Sequence, residues 1–67
     1  MCLSTVYENM ISDESILMKN VSNLSIDDNK ITLVDLMERK KTIIGNVSHV
    51  DLIDNYIIIN TKDSNNE

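Results

Sequence analysis

Apolar and polar residues alternate along short stretches of this chain, and clusters of Asp, Asn and charged residues separate those stretches. Successive side chains of an extended backbone point to opposite faces, so a period of two commits the chain to strands. Phe and Trp are absent, and Tyr7 and Tyr56 are the only aromatics. The core must therefore be built from Ile, Leu, Val and Met. The 67 residues make one domain. Below about 70–80 residues a single core rarely supplies more than ~3–5 kcal/mol, and small domains commonly add a staple. A lone cysteine, Cys2, excludes an intrachain disulfide. Oligomerisation or a metal remain.

The first strand reads "CLSTVYE", with Cys2, Ser4 and Val6 on one face and Leu3, Thr5 and Tyr7 on the other. "NMISDES" follows as a loop. The second strand region runs from Ile16 to Ile26. Leu24 and Ile26 alternate there, but Ile16, Leu17 and Met18 are contiguous, and a bend or bulge near Lys19 and Asn20 reconciles the halves. A helix over Asp13 to Met18 competes, but the neighbouring β-branched residues and Asn disfavour it. "DDNK" is a turn, because Asp and Asn tolerate turn dihedrals and bond their own backbone. "ITLVDL" is the third strand, with Ile31 and Leu33 on one face and Val34 and Leu36 on the other.

"MERKK" turns the chain into a fourth strand, "TIIGNVSHVDLI", interrupted by the only glycine, Gly45. A glycine inside a strand marks a bulge or tight bend. The apolar parity changes across it, from Ile43 and Val47 to Val50 and Leu52. Asp54 and Asn55 form a hairpin turn before "YIIIN", the fifth strand, and "TKDSNNE" is a polar tail. No internal repeat is visible. The expectation is an all-β fold: a small five-stranded bent sheet or partly open barrel. Residues 1–60 form a single β-barrel-like domain and residues 61–67 the C-terminal tail.

The formal charge is −5. Phosphate binding draws most of its strength from Lys and Arg, so nucleic acid is disfavoured as a partner. Arg39, Lys40 and Lys41 are contiguous. They read as a solvated turn, or alternatively as a small basic patch for RNA. No basic segment followed by an apolar run opens the chain, and the longest apolar run, Tyr56 to Ile59, cannot span a bilayer. A cytoplasmic protein with no membrane partner is expected, in which a free thiol stays reduced.

Cys2 stands beside the chain's α-amino group. The bland reading is a small buried hydrophobe. The chemical one is a chelate: the Met1 amine, the Cys2 amide nitrogen and the Cys2 thiolate close two fused five-membered rings in a plane. Without Met1, the Cys2 amine and thiolate still close one ring. Thiolates favour soft or borderline metals, and planar N,S ligation favours Ni(II) or Cu(II). Zinc takes a closed tetrahedral set, usually of several Cys or His. His49 is a candidate extra ligand or an ordinary surface residue. One thiol binds well only if a second chain brings another, so metal binding and dimerisation are coupled. There is no phosphate loop, no HExxH, no Cys pair and no recognisable triad. No enzyme is expected.

In order, the chain carries Met1-Cys2, "DDNKITLVDL", "ERKK", "GNVSHVDL" and "NYIII". Their sequence and spacing resemble the CooT family of small proteins from Met1 to about Ile59. The resemblance implies a β-barrel-like homodimer that binds nickel through Cys2 and serves a client metalloenzyme. The family's named member assists nickel insertion into carbon monoxide dehydrogenase. Similar sequences are also labelled RNA-binding. HypC-type maturation chaperones likewise begin Met-Cys, but carry Pro and Gly soon after, which "MCLSTVYE" lacks. The leading expectation is a nickel metallochaperone or store. An RNA-binding module and a HypC-like docking chaperone are the alternatives.

Overall fold

The computed structural model describes residues 3–61. Six strands form one sheet: β1 (Ser4–Glu8), β2 (Ile16–Asp27), β3 (Lys30–Asp35), β4 (Lys40–Ile44), β5 (Asn46–Asp51) and β6 (Tyr56–Asn60). Their order across the sheet is β4-β3-β2-β1-β6-β5. All neighbours are antiparallel except β1 and β6, which run parallel. The fold is all-β as expected, with six strands rather than five. Asp13–Ser15 form a single 3-10 turn that leads into β2, not the start of a longer helix.

The expected fourth strand divides at Gly45, and its halves lie at opposite edges of the sheet. One residue thus joins the two edges, which forces the sheet to curl, although β4 and β5 do not pair and close it into a barrel. Gly45 does not have a positive φ. Its requirement is close approach: a Cβ there would collide with the Asn60 carbonyl oxygen and lie 3.3 Å from Ile59 Cγ2. Its N–H donates to the Asn29 carbonyl at 2.9 Å. The parity change has a separate cause. Val47 pairs with Ile59 and His49 with Ile58, so Ser48 is an extra residue that returns Val50, opposite Ile57, to the face of Val47.

β2 bends through three irregularities. Between Ser4↔Val21 and Val6↔Met18, Lys19 and Asn20 hold the extra residue, and Asn20 has φ 57°. Asn is one of the few residues that enters this left-handed region readily. Between Val6↔Met18 and Tyr7↔Ile16, Leu17 is inserted. Leu17 and Met18 can therefore both pack on the core, while Ile16 lies beside Tyr7 on the other face. The contiguous apolar triplet is explained by this bulge. The third shift falls between Val21 and Asn23 against β3.

The concave face buries Val6, Val21, Ile31, Leu33 and Ile59, with Leu24, Ile43 and Ile57 against them. Ile31 and Leu33 share this face as their spacing requires. Asp35 follows them at the same parity and is only 4% exposed. β3 and β5 both end at the Asp of a Val-Asp-Leu triplet, Val34 to Leu36 and Val50 to Leu52. Each Asp carboxylate captures the N–H groups that follow. Asp35 accepts from the Met37 and Arg39 N–H groups at 2.9 Å each, and Asp51 from those of Ile53 at 2.9 Å and Asp54 at 2.8 Å. Such bonds pull the chain out of the ladder into a turn. Leu36, Leu52 and Ile53, expected in strands, lie in turns instead for this reason. Among the described residues no helix is long and apolar enough to cross a membrane.

Candidate functional site

β1 lies in the sheet between β2 and β6. Ser4 lies beside Val21, Thr5 beside Tyr56, and the Thr5 N–H donates to the Asn55 carbonyl at 3.0 Å. Cys2, the expected metal ligand, lies outside the described residues. Among the described residues no group of three or more His, Cys, Asp or Glu is arranged to hold a metal ion.

His49 lies on the convex face of β5, exposed, with its ring stacked on Tyr56 at 5.7 Å and 28°. Tyr7 meets Tyr56 edge-on at 6.2 Å. The row His49, Tyr56, Tyr7 thus crosses β5, β6 and β1, one aromatic per strand. Asp51 shares this face. The Asp54 N–H, then the Ile53 N–H, the nearby His49 and the Tyr56 hydroxyl hold its carboxyl below the ordinary value, against a partial burial that pushes it up. Replacing His49 by Ala removes one exposed stacking partner. A loss of at most ~1 kcal/mol is expected on urea unfolding, since such pairs contribute about 0.5–1.5 kcal/mol.

The basic cluster is larger than the sequence reading had it. Arg39, Lys40 and Lys41 follow the β3–β4 turn, and Lys19 joins them from the β2 bulge. Together they line an open cavity of about 510 Å³. The Leu36 N–H donates to the Asn20 carbonyl at 2.9 Å, which ties the turn to the bulge. The Arg39 Nε bonds Asp35 Oδ2 at 2.8 Å, and the Arg39 side chain is otherwise 76% exposed. Lys19 carried no signal in the sequence, because only the fold of β2 against the turn brings it there.

A family model described as CO dehydrogenase accessory protein CooT matches residues 1–60. The chain belongs to the CooT family. Its fold is also that of a crystal structure assigned as a CooT protein from Carboxydothermus hydrogenoformans. The TM-score is 0.79 over 92% of this chain and 100% of that one, at 18% identity. No curated protein matches the chain. The family is that of an accessory protein to CO dehydrogenase.

Proposed function

We propose that this protein is a nickel-binding accessory factor, a metallochaperone or nickel store, that holds Ni(II) through Cys2 in a homodimer. The observation that carries the reading is the family match, which begins at residue 1 and so includes Met1-Cys2. The enzyme that the family serves is a nickel enzyme. The donor chemistry supports it: a lone thiolate with nitrogen donors beside it suits Ni(II) better than zinc, which takes a closed set of several Cys or His.

Dimerisation is supported by apolar surface. Leu52 is 81% and Ile53 90% exposed, in the turn whose Asn55 carbonyl accepts from Thr5 near the start of β1. Exposed apolar clusters of this kind commonly mark contact surfaces. The client is a metalloenzyme of the CO dehydrogenase type.

The test is a Ni(II) titration of the purified protein, followed by sulfur-to-nickel charge-transfer absorption and by native mass spectrometry. The expected result is one shared nickel per pair of chains, with an affinity that falls at low pH because thiolate binding releases protons. Cys2→Ser should lose the band and the affinity. Undiminished nickel binding by that variant would end the proposal.

A further inference from the structure

Among the described residues, four of the five cations, Lys19, Arg39, Lys40 and Lys41, line the cavity between the β2 bulge and the β3–β4 turn, with one of the nine acids, Asp35. The cavity therefore carries a formal +3 while the other described residues carry −7, one lysine against eight acids. Leu17 and Met18, half-buried against the core, add apolar surface to the same cavity. Arg39 is the only one of the four that makes an ion pair among the described residues. β4, which carries Lys40 and Lys41, is an edge strand, so an extended segment can pair with its outer backbone groups. Edge lysines block unselective strand pairing, and an acidic segment is the kind that they admit.

We propose that this cavity docks a short acidic segment of a partner protein, with carboxylates against Lys19, Arg39, Lys40 and Lys41 and an aliphatic side chain on Leu17 and Met18. Charge complementarity selects the sign of the occupant, and the apolar wall selects a peptide over a bare anion. Two features favour a short peptide over RNA. No aromatic lines the cavity, since Tyr7 and Tyr56 lie on β1 and β6 against each other, and single-stranded RNA is held largely by stacking. A long polyanion must also run beyond the cavity across a described surface of −7, whereas a short segment keeps its charge within the cationic rim. This inference adds a docking surface to the accessory reading and does not depend on nickel.

The experiment selects random short peptides on phage against immobilised Cys2→Ser protein in the presence of a chelator, so that failure of metal binding cannot affect it. Enrichment of Asp and Glu around an aliphatic residue is expected. The selected peptide should bind at least about tenfold more weakly to Lys19→Glu/Lys41→Glu, and more weakly as salt rises. Lys19→Gln/Lys41→Gln should show a smaller loss, and Lys30→Glu, outside the cavity, none. Circular dichroism verifies that each variant is folded. Absence of acidic enrichment, unchanged binding by both double variants, or tighter binding of an oligoribonucleotide of equal charge would overturn the proposal.

Discussion

Gly45→Ala is expected to leave the chain largely unfolded. The added Cβ meets the Asn60 carbonyl oxygen well inside van der Waals contact, with the Asn60 carbonyl carbon 3.2 Å away. Both are main-chain atoms at the end of β6, where Asn46 pairs with Asn60, so no side chain can rotate out of the way. Relief requires either the β4–β5 junction or the end of β6 to shift, and each shift breaks the corner that joins the sheet's two edges. Overpacking typically costs about 1–3 kcal/mol and more where the backbone must move. A core of this size supplies only ~3–5 kcal/mol in total. Urea unfolding followed by circular dichroism measures the loss. Gly45→Asn separates the two roles that a glycine can play. Asn restores much of the stability where a left-handed backbone is required, but here it should be no better than Ala, because Gly45 does not adopt a positive φ. Recovery in the Asn variant would refute the close-approach account.

Gly45 also shows why part of this fold is readable in the sequence and part is not. The residue is visible as a break, but whether a glycine bends one strand or ends it depends on what approaches it, and Asn60 is distant in the chain. The bulge at Lys19 and Asn20 was legible because it resolves a local conflict of parity. Leu17 and Ser48 as inserted residues were not, since each is defined only by its partners on β1 and β6. The alternation put Ile31 and Leu33 on one face but did not say which face is buried; the fold buries theirs, where the pattern continues to Asp35, and a carboxylate there reads as a strand end only once its turn partners are known. At the candidate site, Arg39, Lys40 and Lys41 are contiguous and so were legible as a group. Lys19 joins them through tertiary folding alone. The chemistry of Cys2 rests on its covalent neighbours and on the family match, and neither depends on the geometry of the described sheet.

Asp35→Ala should lower the melting temperature by about 10 °C or more, which is large for a domain of this size. The carboxylate is buried at 4% exposure and is fully used. Oδ1 accepts from the Met37 and Arg39 N–H groups, and Oδ2 from the Arg39 Nε at 2.8 Å. Ala leaves all three donors without that partner and frees the β3–β4 turn. Asp35→Asn separates the contributions, because a single amide oxygen can keep the two backbone bonds while the amide nitrogen faces Arg39 as a second donor. It should cost less than Ala, and Arg39→Gln less again. The dependence on pH has a definite sign. The Arg39 N–H above all, then the Arg39 guanidinium and the Met37 N–H, hold the Asp35 carboxyl below its ordinary 3.8, against burial, which pushes it up. A depressed value stabilises the fold fully above the unfolded pKa and is lost as pH falls through the folded one. The gap between wild type and Asp35→Asn should therefore be constant near neutral pH and narrow only below about 4. The same bond holds Arg39 at the rim of the cationic cavity. A variant that melts like wild type would show that the buried carboxylate does not hold the turn.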